Sequence, residues 1–360
     1  MKILIDINHP AHVHYFKNFI EEMQKRGHEI LITATEKEMT HELLKKYQFD
    51  FISLGAHGNS MFKKIINLPL TDFNMYLAVR NFKPDLFLGF GSIRAAHTAT
   101  ILRKPCINFE DTEDSMGQIR LYRPFVKCIC TPSCFLKPLG EKQVLFDGYM
   151  DLAYLHPQRF TPDPSVLDEL DLAKNERFII VRFISWAAAH DIGLKGIINP
   201  VQMVKKLEKF GKVFISSEKK TDKMLDNYRL KITPEKFHSL LSFAQLYMGE
   251  GGTIATEASV LGTPAIHIES DSHGNATGYK SGIFRELRDR YGLMFFYPDE
   301  KAALDKAVEI LSDPNSKSEW QKKRELLLKD KIDVSAWMTD FIERYPDSFY
   351  QYQKEQQVLK

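Results

Sequence analysis

Short apolar runs alternate with longer segments of helical period from the first residue onward. A buried parallel strand reads as a continuous apolar run and its crossover as an amphipathic helix, so the alternation predicts βαβ units. In the first half the runs place strands at Lys2–Ile7, Glu29–Thr33, Phe51–Leu54, Leu86–Gly89, Cys106–Phe109, Val126–Thr131 and Val144–Tyr149. The clearest helix is His14–Arg26, with Tyr15, Phe19, Ile20 and Met23 on one stripe and Gly27 set to end it.

The pattern lapses between Asp151 and Asp168, where Pro157, Pro162 and Pro164 crowd into a polar stretch that reads as an interdomain linker. It then restarts, with strands at Phe178–Phe183, Lys212–Ser216, Leu246–Met248, Ala265–Ile268 and Leu293–Phe296. Helices are expected at Pro200–Phe210, Pro234–Phe243, Thr253–Leu261, Glu300–Leu311 and Val334–Arg344. The expectation is an α/β chain with parallel sheets flanked by helices. A Rossmann-like domain over 1–155, a linker over 156–169 and a second Rossmann-like domain over 170–345 precede a polar tail over 346–360. Periodicity alone does not assign Val334–Arg344 to either domain.

Composition narrows the function. The 360 residues exceed one ordinary core and suit two domains. Lys and Arg number 49 against 47 Asp and Glu, and a net charge of +2 gives no broad field for nucleic acid. No apolar run reaches the roughly 18 residues of a membrane span, so no transmembrane segment is expected. Ile3, Leu4 and Ile5 give way at once to Asp6, too short a stretch for a signal peptide. We therefore expect a cytoplasmic chain with reduced thiols at Cys106, Cys128, Cys130 and Cys134.

The sharpest chemistry lies in Gly249-Glu250-Gly251-Gly252-Thr253, followed by Glu257 and by Leu261-Gly262-Thr263-Pro264. A strand that ends in a glycine turn and opens at once into a helix presents unpaired N–H groups, a place for phosphate. Glu257, about one turn further in, has the acceptor atoms for two adjacent hydroxyls, as on a ribose. Without a ligand the same residues are a tight turn with a solvated Glu257. The stretch resembles the nucleotide-binding segment of the GT-B superfamily, which includes peptidoglycan N-acetylglucosaminyltransferases and non-hydrolysing UDP-N-acetylglucosamine 2-epimerases. That resemblance implies Gly251, Gly252 and Thr253 at a diphosphate, Glu257 at a ribose, and two domains facing across a ligand cleft.

A second group, Asn8-His9-Pro10-Ala11-His12-Val13-His14, joins the first strand to the first helix. Three crowded imidazoles also suit a metal, but no acidic or thiol partner is fixed by spacing, and helix-capping histidines are the simpler reading. No metal is expected. In the GT-B transferases the matching loop holds a histidine among glycines. The glycines are absent here and the histidine carries over as His12, which the resemblance implies is a base or an acceptor contact, with His9 and His14 beside it.

Gly89-Phe90-Gly91-Ser92 and Asn108-Phe109-Glu110-Asp111-Thr112-Glu113-Asp114 follow consecutive strands, whose ends open on one sheet edge. The likeness to the transferases implies Glu110 as a catalytic group, with Ser92 and Asp111 near sugar or acceptor. The epimerases carry an aspartate where this chain has Phe90-Gly91-Ser92. After the first strand of the second domain, Arg182, Ser185 and His190 have the chemistry to meet phosphate, although Trp186 and its alanines read equally as core. Asn275 lies in a loop that by position could contact the donor sugar and by composition reads equally as an ordinary loop.

His9–Phe16, Asn108–Asp111 and Gly251–Thr253 together also resemble a prokaryotic family of unknown function allied to the GT-B enzymes, over nearly the whole chain. The expected activity is transfer of a glycosyl group from a UDP-sugar to a saccharide or lipid-linked acceptor. His12 or Glu110 would serve as base, and no cofactor is required. One alternative is an epimerase or hydrolase working through Glu110, Glu113 or Asp114; another is a non-catalytic nucleotide-sugar sensor.

Overall fold

The first apolar run forms β1 (Lys2–Ile7), an interior strand of a seven-stranded, all-parallel sheet. A computed structural model describes residues 1–37, 39–56, 68–173, 175–186, 193–218 and 221–358. The other strands of this sheet are β2 (Glu29–Ala34), β3 (Phe51–Ser53), β4 (Leu86–Phe90), β5 (Cys106–Phe109), β6 (Cys128–Pro132) and β7 (Gln143–Phe146). Their order is β3-β2-β1-β4-β5-β6-β7. Between them run α1 (Pro10–Lys25), α2 (Thr40–Lys46), α3 (Leu68–Val79), α4 (Ile93–Ile101) and α5 (Met116–Tyr122).

The apolar stripes decide what these helices cover. α1 buries Val13, Phe16, Phe19, Ile20 and Met23, each side chain adding roughly 1.5–3 kcal/mol of transfer free energy. On another core, α3, α4 and α5 bring Met75, Val79, Ala95, Ala99, Ile119 and Tyr122 against Leu4, Phe87 and Ile129 of the sheet. Two strands start later or stop sooner than expected. Val126 still donates its N–H to Tyr122 O at the end of α5, and Gly148 turns back on Phe146 O.

The second sheet is also all parallel. It comprises β8 (Phe178–Phe183), β9 (Lys212–Ser217), β10 (Leu246–Gly249), β11 (Ala265–Ile268) and β12 (Met294–Tyr297), in the order β12-β11-β10-β8-β9. Its helices are α6 (Pro200–Leu207), α7 (Phe237–Phe243), α8 (Gly252–Leu261), α9 (Gly282–Asp289), α10 (Glu300–Ser312) and α11 (Ser316–Asp330). Strand order reverses between β1 and β4 in one sheet and between β8 and β10 in the other, the places where open parallel sheets receive ligands.

The chain divides into two units, Met1–Tyr154 with Ile332–Lys360, and Leu155–Lys331. This corrects the expected boundaries. The segment over 332–345 belongs to the first unit, and the presumed polar tail is a helix of it. α12 (Val334–Glu343) buries Val334, Met338, Phe341 and Ile342, and Ser335 Oγ donates to Ala153 O at 2.7 Å. Arg26 and His28 reach Glu343 at 2.6 and 3.2 Å. From α13 (Asp347–Val358), the Tyr352 hydroxyl accepts the Leu145 N–H at 3.0 Å. The proline-rich stretch expected as a linker is packed into the second unit, with Val166 and Leu167 buried. Among the described residues no helix is long and apolar enough to cross a membrane.

Candidate functional site

In the first unit the strand reversal is floored by a charge. Asp6 interrupts the apolar run of β1 and is fully buried. It accepts from Arg94 Nε and Nη2, from Ser92 Oγ at 2.6 Å and from Thr33 Oγ1 at 2.8 Å, so one carboxylate joins β1, β2 and the start of α4. Burial pushes its carboxyl up, but the Arg94 charge and these hydrogen bonds outweigh burial and hold it below its ordinary value. Ser92, expected to touch sugar or acceptor, is instead fully buried and caps α4, accepting from Ala95 N at 3.1 Å. Neither Asp6 nor Arg94 was picked out by sequence reasoning; the signal was a lone carboxylate inside an apolar strand.

The three histidines above this floor take separate tasks. His9 caps α1, its Nδ1 accepting from Ala11 N at 3.2 Å, with Pro10 opening the helix. His14 is buried, stacked 5.2 Å from the Tyr154 ring and edge-on to Tyr47, which takes it away from the expected acceptor contact. His12 is half-buried among Tyr15, Phe90 and His9, and its Nδ1 accepts the Asn8 N–H at 3.4 Å. That bond leaves the ring proton on Nε2. Burial, helped by the Lys37 cation, lowers His12 to about 3, so the ring is neutral and a better donor than base. Among the described residues no three His, Cys, Asp or Glu side chains converge as a metal cage.

Glu110 directly follows β5, buried beside the Phe90–Gly91 turn. A Cβ added at Gly91 (φ +54°) would lie 3.2 Å from Glu110 Oε2, so this left-handed glycine admits the carboxyl. Oε1 accepts from Thr112 N at 3.2 Å and Oε2 from the Tyr122 hydroxyl at 3.0 Å. Burial, with the Asp111 charge beside it, raises Glu110 to about 8 against those bonds. Asp111, joined to Thr112 Oγ1, is raised to about 7, chiefly by burial. Burial thus raises both of these adjacent carboxyls toward neutral pH. Glu113 is spent on structure, accepting from Leu136 N at 3.1 Å.

In the second unit the glycine turn is built by close approach. A Cβ at Gly249 would meet Arg182 O at 2.5 Å, and one at Gly251 would meet the Tyr247 hydroxyl at 3.1 Å. Gly251 is the N-cap of α8 and no side chain caps it, so the first amides, next to the exposed Thr253, keep their hydrogen-bonding capacity. Glu257 is buried, not solvated, and its Oε1 lies 3.0 Å from Nε2 of the buried His238. Arg182 reaches Ser216 Oγ at 2.6 Å and pairs with Glu218, which also accepts from Ser185 N and Oγ at 3.2 Å. An anion taken up by Arg182 would share the guanidinium with Glu218 or compete with it. His190 lies outside the described residues. Asn275 is exposed, donates its N–H to Asp271 Oδ1 at 3.0 Å, and borders a cavity of about 640 Å³ with Tyr279, Arg288 and Phe296.

Glu250 was also missed. It is 1% exposed, and its two oxygens accept from Ile184 N at 2.9 Å and Ile197 N at 2.8 Å, tying the loops after β8 to the turn after β10. Gly196 has room for no Cβ, because Glu250 Oε1 would lie 2.3 Å away. A carboxylate set between glycines at a strand end was the available signal.

Solved structures share this architecture at low identity. The UDP-GlcNAc 2-epimerase of Neisseria meningitidis bound to UDP-GlcNAc matches with a TM-score of 0.69 and 14% identity, over 96% of this chain and all (100%) of that one. MurG of Acinetobacter baumannii matches with a TM-score of 0.57 and 16% identity, again over 96% and 100%. The fold is thus that of the GT-B glycosyltransferases and the 2-epimerases, two parallel sheets in two Rossmann-like domains. In sequence, an uncharacterized protein of Methanocaldococcus jannaschii, MJ0665, is 26% identical over 279 residues, 74% of this chain and 81% of the relative. Residues 1–276 match the family described as "Protein of unknown function (DUF354)", and the chain belongs to that family.

Proposed function

We propose that this protein binds a nucleotide-sugar at the α8 turn and transfers its glycosyl group to an acceptor hydroxyl, with Glu110 as base. The observation that carries the binding half is the uncapped amino end of α8 behind Gly251, at the reversal of the second sheet. Helix-end amides suit a diphosphate, and the Neisseria epimerase of the same fold is bound to UDP-GlcNAc. Thr253 stands beside those amides, and Glu257 offers a carboxylate one turn below for the ribose.

The chemistry needs a proton acceptor and a stabilised leaving group. The acceptor O–H gives its proton to ionised Glu110, its oxygen bonds to the anomeric carbon, and the bond from that carbon to the diphosphate breaks. The charge that develops on the nucleoside diphosphate falls to the α8 amides. His12, neutral with its proton on Nε2, serves as a hydrogen-bond donor rather than the base. No cofactor enters this scheme, and the acceptor is a saccharide or lipid-linked hydroxyl.

Because Glu110 must be ionised, turnover should climb with pH and level off above about 8. Glu110→Gln should lose turnover by about 10²-fold and the pH dependence with it, while UDP affinity stays at the parent value. Normal turnover in that variant would remove Glu110 from the reaction. A second reading, epimerisation or hydrolysis of the nucleotide-sugar, is favoured by the Glu110 and Asp111 pair, two carboxyls poised near neutrality. Incubating UDP-GlcNAc without any acceptor separates the two: transfer leaves it intact, whereas the second reading converts it.

A further inference from the structure

The outer layer of the first unit combines exposed apolar side chains with unopposed cations. Helices α3, α4 and α5 share one core against the sheet, so their opposite sides turn outward as a single layer. On α3, Leu70, Phe73 and Leu77 follow helical spacing along one stripe and are 59, 55 and 40% exposed. Leu121 on α5 and Phe125 just beyond it are exposed too. His97 of α4 joins the two stripes: its Nδ1 lies 2.7 Å from Asp72 Oδ2 on α3, and its ring is 4.6 Å from that of Phe125.

Charge on this layer is predominantly positive, with the carboxylate of Asp85 in the turn after α3 paired to Lys104. Arg80, Lys83, Arg103, Arg120, Arg123 and Lys127 are all exposed on these helices and the turns that follow them. Across 68–83, 93–104 and 116–127 the one carboxylate is Asp72, and it is held by His97. In a chain of net charge +2 that is a pronounced segregation.

We propose that the α3–α5 face is a peripheral docking surface for an anionic lipid bilayer. Phe73 and its neighbours would enter the boundary between headgroups and acyl chains, while the arginines and lysines meet lipid phosphates. Single exposed leucines need no explanation, but a stripe of them rimmed by cations marks an interaction face. A second copy of the chain is a poor occupant, because a two-fold contact through this face would set the same cations opposite one another.

Co-sedimentation of the full chain, without nucleotide, tests this on vesicles of phosphatidylcholine alone or mixed with phosphatidylglycerol. Binding should favour the anionic vesicles by about tenfold or more and fall away in high salt. The L70S/F73S and R120E/R123E pairs should each weaken it by roughly tenfold at an unchanged melting temperature, since these side chains are exposed. Ile198→Ser, at a 78%-exposed position on the second unit, should bind as the parent does. Equal binding to both vesicles, or none, overturns the proposal. So does a concentration-dependent dimer that L70S/F73S dissolves, which would make the face a protein interface.

Discussion

Each sheet reverses its strand order once, and the two reversals are finished in opposite ways. Between β1 and β4 a buried carboxylate, Asp6, is met by a guanidinium and two hydroxyls, and Ser92 closes the end of α4. Between β8 and β10 glycine backbone presses on Arg182, and α8 begins with no capping side chain. The sealed floor ties β1 and β2 to the start of α4. An open helix end keeps its hydrogen bonds for something that arrives. Under the proposed function, this contrast assigns the chemistry to the first unit and the capture of nucleotide to the second.

The largest effect is expected where the seal is broken. Arg94→Ala leaves Asp6 buried without its cation and should cost about 3–5 kcal/mol in urea unfolding. The pH dependence follows from the sign of the shift. The folded-state value of Asp6 is depressed, so its stabilisation is present above the ordinary value of 3.8 and lost as pH falls through the folded value. The parent should therefore shed stability in strong acid, and Arg94→Ala should show much less of that loss. An Arg94→Ala chain as stable as the parent would mean the first reversal is not held by charge.

Next in size is the carboxylate under the open turn. Glu257→Ala should weaken UDP binding by roughly 1.5–3 kcal/mol, the range for a hydrogen bond to a charged group, read by calorimetry. His238→Gln keeps the carboxylate and removes the imidazole 3.0 Å from it, so it should weaken binding less. If Glu257→Ala binds UDP as the parent does, Glu257 serves only His238. The second reversal would then be closed on its own partner, much like the first.

The sequence made some of this contrast legible. The glycine turn was visible because a strand run, glycines and a helical period follow one another without a gap, and β8, β11 and the start of α8 lie within a residue of where the pattern put them. Glu110 was legible from its place at a strand end. The partners were not. Arg94 lies 88 positions from Asp6, Glu218 lies 36 from Arg182, and the apolar period of α12 fits either unit equally well. Periodicity reports which face is buried and is silent on what it is buried against. The histidines mislead for a related reason: one residue type serves as cap, core ring and neutral ring within six residues, and only the local backbone separates those tasks.

The smallest effect sharpens the comparison most finely, at the rim of the sealed reversal. His9 holds an extended backbone, φ −153° and ψ 150°, and its Nδ1 takes one of the first free amides of α1. Pro10 already fixes the following turn, so His9→Ala should cost only about 0.5–1 kcal/mol, near the low end for a lost cap. Aspartate is a better cap and its charge suits the helix end, so His9→Asp should return the melting temperature to the parent value or above. UDP affinity should not change in either variant, because the α8 amides belong to the other unit. Turnover is the deciding readout. If His9→Asp restores both stability and turnover, the imidazole is a cap and nothing more. If stability returns while turnover stays about tenfold down, the ring touches the reacting molecule, and the first reversal is open at that point.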